Sequence, residues 1–182
     1  MIEILKKNLK INDFTEKTAK RILPIVEEHG DEIVDSVVFA LLNDNEVVNT
    51  LNKNKVKLQI IKGDLKYWIG LVFSGRYDKE YYEKIYNIGC THVDVGVEAH
   101  IVMEAVALFM NETIRILSKY TALAQNELLE IIKLFNLAMI IMINSYGDEL
   151  LAAFMQFTGL RKELFMKEVE LARKRTRRVE EL

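Results

Sequence analysis

Phe73-Ser74-Gly75-Arg76-Tyr77-Asp78 leads through Ile88-Gly89-Cys90-Thr91-His92 to Val95-Gly96-Val97, and this stretch decides how the chain is read. Gly75 ends one helix. Asp78 caps the next, which carries Tyr81, Tyr82, Ile85, Ile88 and Gly89 and finishes near Val93. His92 lies in its last turn, and Gly96 marks a corner just beyond. One imidazole is thus set on an apolar helix end, with a turn glycine on either side.

Working outward, the helix before it spans about Lys55 to Phe73, with Leu58, Ile61, Leu65, Trp68, Ile69 and Val72 at helical spacing. Two long helices follow the corner, about Val97 to Tyr120 and about Asn126 to Phe157, and Thr158-Gly159 is a stop signal. Upstream, Asn12 and Asp13 cap a helix running to about His29, kinked or restarted at Pro24 and broken by Gly30. Asp31 starts another, carrying Ile33, Val34, Val37, Val38, Leu41 and Leu42. Asn43-Asp44-Asn45 is a turn, and a short helix covers about Glu46 to Leu51. The expected fold class is all-α.

The 182 residues suffice for one domain with a substantial core, and the 50% hydrophobic, 29% charged composition is that of a globular chain. The net charge of −2 gives no signal for a polyanionic partner, so no nucleic acid is expected. Cys90 is the single cysteine, which excludes a disulfide framework and a cysteine-rich metal site and points to a reducing cytoplasm. Glu3, Lys6, Lys7 and Lys10 interrupt the N-terminus, so it does not read as a signal peptide. The longest pure apolar run, Leu137 to Ile143, is far short of the roughly 20 residues that span a bilayer, so no membrane is expected. That helix is nevertheless apolar nearly all round from Leu134 to Ile143. It is either buried on one side by a second subunit or is one central core helix.

Three histidines are present. His29 ends a polar Glu27-Glu28-His29-Gly30 segment and reads as a surface residue; His100 reads as surface or pocket rim. His92 follows Ile88 and Gly89 and precedes Val93, Val95 and Val97. It is either a satisfied core histidine or a ligand. A lone histidine does not build a zinc site, which takes three or four protein ligands. Haem is different, because the porphyrin supplies four nitrogens and the protein need supply only one.

The pattern Phe73-x-Gly75-x-x-Asp78, then Ile88-x-x-x-His92, then Gly96, resembles the globin-coupled sensor family, the bacterial sensor globins. It aligns without gaps from about Asp31 to Ile116, and the helical layout fits from about residue 11 to 157; Pro24 also sits where the family's first helix often has a proline. The resemblance implies a globin-like fold with an extra N-terminal helix and a C-terminal signalling helix. It implies haem b as cofactor, lying between the Lys55–Phe73 and Tyr77–Val93 helices, with His92 on the iron. Val38, Phe39, Ile61, Leu65, Trp68, Ile88 and Val102 would line the site. A homodimer would form through the last two long helices, and the ligand would be a diatomic gas: O2, CO or NO.

The departures from the family pattern matter as much. Where many of these sensors carry a distal tyrosine, this chain has Val38-Phe39, with either residue at the position and neither bearing a hydroxyl. Asp64 falls near a position that is often threonine. An apolar wall forgoes a hydrogen bond of about 0.5–1.5 kcal/mol net to a polar ligand. Weak O2 retention is expected, with CO and NO less affected. Ile101 and Val102 stand where the family often has aromatic residues, and Ala99 replaces a common proline, so the His92 Nδ1 is expected to be oriented by a backbone carbonyl. Cys90 reads as a small packing residue.

Residues 1–159 therefore read as a sensor domain and 160–182 as a helical linker, the start of a coiled coil leading to an output domain. Leu160 to Leu182 holds eight Lys/Arg and five Asp/Glu, a local net of +3. Phe165, Val169, Ala172, Thr176 and Val179 are spaced as a heptad seam. No nucleophile–base pair, phosphate loop or catalytic carboxylate pair is evident, so an enzyme is not expected. The alternative function is a haem-free globin-like sensory or protein-interaction module, with His92 in the core.

Overall fold

A computed structural model describes the backbone of residues 1–55 and 57–180 and the side chains of 1–55 and 57–171. Among the described residues there are nine helices and no strand. They are α1 (Ile2–Leu9), α2 (Asp13–Glu28), α3 (Gly30–Leu41), α4 (Asn45–Asn54), α5 (Leu58–Val72), α6 (Lys79–Asp94), α7 (Ala99–Tyr120), α8 (Gln125–Thr158) and α9 (Lys162–Glu180). The chain divides into two units, residues 1–146 and 147–182.

In the first unit α3 packs on α5 and α7, and α2 crosses the same pair. The Asn12 cap forms as expected. Its side chain accepts from the Phe14 and Thr15 amides at 2.9 and 3.2 Å, while Thr15 Oγ1 accepts from the Asn12 amide at 3.1 Å. The same Thr15 hydroxyl donates to the buried Glu130 carboxylate of α8 at 2.6 Å, and Lys133 pairs with Glu130 at 2.7 Å. Pro24 is carried inside α2 without ending it. One helix lies ahead of the expected start: α1 seats Ile2, Leu5 and Leu9 on the core and stops at Lys10, whose φ of 56° is left-handed. Its 3- and 4-residue apolar spacing was present in the sequence, hidden by the alternating lysines.

The core is closed by an aromatic cluster. Trp68 lies 5.1 Å from Phe109 and 6.1 Å from Phe135, and Phe73 meets Phe135 edge-on at 5.7 Å. Leu134, Phe135, Leu137, Ala138, Ile141 and Met142 of α8 are all buried within the chain itself, so much of the all-apolar segment is a central core helix. By length and composition alone α8 would cross a membrane, but half of its most apolar window is packed inside this fold. His29, expected at the surface, is half-buried and stacks on Tyr120 at 3.7 Å.

Tyr77 and Tyr81 pack edge-on at 5.0 Å. The Tyr77 hydroxyl donates to the Val72 carbonyl at 2.9 Å, whereas the buried Tyr81 hydroxyl has no partner among the described residues. Burial raises the pKa of both phenols, and that of Tyr146 to about 12. Unfolded tyrosines ionise near pH ~10 while the folded ones keep their protons, so the stabilisation is present below that pH and is lost above it. Tyr81→Phe removes an unpaired hydroxyl whose burial costs about 1–3 kcal/mol. Thermal melts should show the variant at least as stable as the parent at neutral pH, with a shallower decline under alkali.

In the second unit α8 ends at Thr158, and Gly159 turns the chain at φ 69°. Phe165, the first residue of the expected seam, packs on Phe154 at 5.1 Å within the unit. Ala172, Thr176 and Val179, and the Arg173 to Arg178 cluster, lie outside the described side chains.

Candidate functional site

Tyr81, Ile85, Ile88 and His92 follow one another at spacings of four, three and four, one face of α6. Asp78 starts the helix by accepting from the Tyr81 amide at 3.1 Å, a bond that holds its carboxyl below the usual range, and Arg76 pairs with it at 2.5 Å. At the other end Gly96, with φ 73°, lets the Val97 amide reach the His92 carbonyl at 2.9 Å and its own amide reach Val93 at 3.0 Å. This double closure is a Schellman turn, whose left-handed position glycine fills at the least steric cost. The glycine after the histidine thereby pins the backbone that carries the imidazole.

The half-buried His92 ring is held from within its own helix: Nδ1 lies 2.7 Å from the Ile88 carbonyl. A carbonyl only accepts, so Nδ1 is the donating nitrogen, and in the neutral ring Nε2 is the nitrogen left to bind a ligand. The backbone orienter expected from the missing aromatic residues is present. Gly89 sets the helix against α8: a Cβ there would meet Ser145 Oγ, the Met142 carbonyl at 2.7 Å and Met142 Cα at 3.0 Å.

Two residues that the sequence reading missed brace the turn after His92. Tyr146 of α8 donates to the Val97 carbonyl at 2.9 Å, and Asn54 of α4 donates to the Val95 carbonyl at 2.8 Å. Neither has a local motif; the signal in the sequence is only an aromatic within an apolar helix and an asparagine at a helix end.

The other candidate residues divide. Val102 is buried in the first turns of α7, and Ile61 and Leu65 are half-buried on one face of α5. Trp68 is 5% exposed and belongs to the aromatic cluster, while its indole Nε1 has no partner among the described residues. Phe39 corrects the expectation that it lines the site: it is 75% exposed, and Val38 at 5% is the inward residue. The reason is helical register. Glu32, Asp35 and Phe39 form one row at spacings of three and four, and Asp35 and Glu32 are ion-paired at the surface to Lys62 at 2.6 Å and Lys119 at 2.9 Å. Cys90 is half-buried.

The residues fit a haem iron, which needs a single protein ligand: the chain offers one oriented imidazole on the α6 face that it shares with Ile85 and Ile88.

The family model described as Protoglobin matches residues 2–152. The chain is also similar to a solved structure, the globin domain of the Geobacter sulfurreducens globin-coupled sensor. The two share 25% identity at a TM-score of 0.72, over 79% of this chain and 96% of that one. A comparison with curated proteins finds no match. The fold is that of a globin domain.

Proposed function

We propose, for a chain that belongs to the Protoglobin family, a haem-binding gas- or redox-sensing role with His92 as the proximal ligand. The observation that carries this reading is the 2.7 Å contact from His92 Nδ1 to the Ile88 carbonyl. A histidine that ligates through one nitrogen characteristically donates from the other, which fixes its tautomer and raises its basicity. The globin-coupled sensor named by the similar structure supports the sensing role.

Haem b, when bound, would be held through His92 and would supply an iron able to take up a diatomic gas. The protein's part is to orient the imidazole and to shape the ligand side. Val38, Ile61 and Leu65 offer that side no hydrogen-bond donor. Retention of O2 is therefore expected to be weak beside that of CO and NO. Phe39→Tyr places its new hydroxyl in solvent, so CO rebinding measured by flash photolysis should stay within about twofold of the parent, as for other surface substitutions.

The signal would pass from α6 to α8, which touch at Gly89 and Met142, and on along α8. Dimerisation through α7 and α8 is part of the proposal, supported by the exposed Met103, Leu129 and Leu150 on those helices. So is an output domain beyond α9, and a cytoplasmic setting for the lone Cys90.

Haem titration of the purified chain tests the reading. A Soret band saturating at one haem per chain and shifting under CO is expected. A protein that stays colourless sinks the proposal and leaves a haem-free globin module.

A further inference from the structure

We propose that Tyr146 is a positioning residue: its hydroxyl ties the turn after His92 to a soft joint in α8 at Gly147, so that the state of the histidine sets the helical order of residues 147–158. The proposal rests on the reading of His92 as the haem ligand and names the place where that site acts on α8.

Two hydrogen bonds in series make the tie. The Val97 amide donates to the His92 carbonyl at 2.9 Å, and the Val97 carbonyl accepts from the Tyr146 hydroxyl at 2.9 Å. One residue thus receives both the backbone of the histidine and a side chain of α8. The other side of the turn is held by Asn54, which donates to the Val95 carbonyl at 2.8 Å and to the Thr50 carbonyl of its own helix at 2.9 Å. A shift of about 0.5 Å in the turn takes the Tyr146 bond beyond the range of a good O–H···O contact, so a small movement at His92 is enough to release it.

The residue after Tyr146 is a glycine inside a helix that runs from Gln125 to Thr158. Nothing stands within 4 Å of a Cβ built on Gly147, and its φ is not left-handed. Neither packing nor backbone geometry calls for glycine there. Its effect is to weaken the helix, since only proline is a poorer helix former. Gly63 and Gly70 of α5 are open in the same way, but Trp68, Ile69 and Val72 anchor that helix in the core. The buried residues of α8 end at Tyr146, which is also the last residue of the first unit. Tyr146 is therefore the last buried hold on α8, placed directly before its weakest point. A helical segment with no buried side chain opens at low cost, and a lost hold at its root lowers that cost further.

Amide hydrogen exchange of the full chain, read on residues 147–158, is the test. In the haem-loaded parent, CO should change exchange there by about fivefold or more, the lower end of an ordinary coupling between sites. Tyr146→Phe keeps the ring and loses the tie, so the CO-dependent change should vanish while the Soret band still moves. A hydroxyl that only stabilised the fold would alter exchange equally with and without CO. Gly147→Ala should slow exchange in both states, because alanine restores the helix. The haem-free chain supplies a test that does not depend on the haem assignment. Gly96→Ala strains the turn residue whose φ is 73°, and it should speed exchange at 147–158 when Tyr146 is present but not when combined with Tyr146→Phe. Equal responses with and without the Tyr146 hydroxyl, or a Soret shift under CO with no change at 147–158 in the parent, would overturn the proposal. A chain that stays colourless yet shows the Tyr146-dependent response to Gly96→Ala defeats the haem reading and leaves the tie standing.

Discussion

His92→Ala is expected to abolish stable haem binding while leaving the haem-free fold intact. Substitutions of groups that merely orient a metal ligand cost about 10–100-fold in affinity. Removing the ligand itself should therefore exceed about 100-fold, seen as loss of the Soret band and of its shift under CO. The structural loss is small by comparison. The ring is half-buried, and its bond to the Ile88 carbonyl is worth about 0.5–1.5 kcal/mol net. At about 2–4 °C per kcal/mol for a chain of this size, the melting temperature of the haem-free protein should fall by only a few degrees. Added imidazole offers a second readout, since it can occupy the vacated space and restore the band. A variant that takes up haem as the parent does would identify His92 as a core histidine and defeat the ligand assignment. A variant that fails to fold would show instead that the ring is structural.

How much of this was legible in the sequence follows from how local each signal is. The helix around His92 was readable because its two ends are chemical events within a few residues: the Asp78 cap and the Gly96 turn. The carbonyl that orients Nδ1 was also inferable, because it lies one turn back in the same helix. Phe39 was left as an alternative by the resemblance, although it shares a helix row with Glu32 and Asp35, and packing against α5 and α7 turns Val38 inward instead. The apolar stretch of α8 permitted a partner subunit or a core position. Its burial against residues of the same chain accounts for most of it, and no local pattern distinguishes the two outcomes. Tyr146 and Asn54 were invisible for a related reason: each acts on a backbone carbonyl more than forty positions away, a separation at which sequence spacing carries no information.

Gly89→Ala is the substitution expected to disturb the fold most for the smallest change in volume. The added methyl group would meet Ser145 Oγ and, more seriously, the Met142 carbonyl at 2.7 Å and Met142 Cα at 3.0 Å. A side chain can rotate away, but helix backbone cannot, so α6 and α8 must separate. Alanine gains about 1 kcal/mol over glycine in helix propensity. Overpacking a close contact costs about 1–3 kcal/mol and occasionally more. Since the clash is with backbone, the upper part of that range should win and the melting temperature should fall. Gly63→Ala is the internal comparison. It also lies inside a helix, but nothing stands within 4 Å of its added Cβ, so the propensity gain should appear alone as a higher melting temperature. Gly89→Ala should in addition move His92, three residues along the same helix, and so broaden or shift the Soret band. Equal and positive stability changes in the two variants would show that α6 and α8 do not approach as closely as described, and would remove the proposed route from the imidazole to α8.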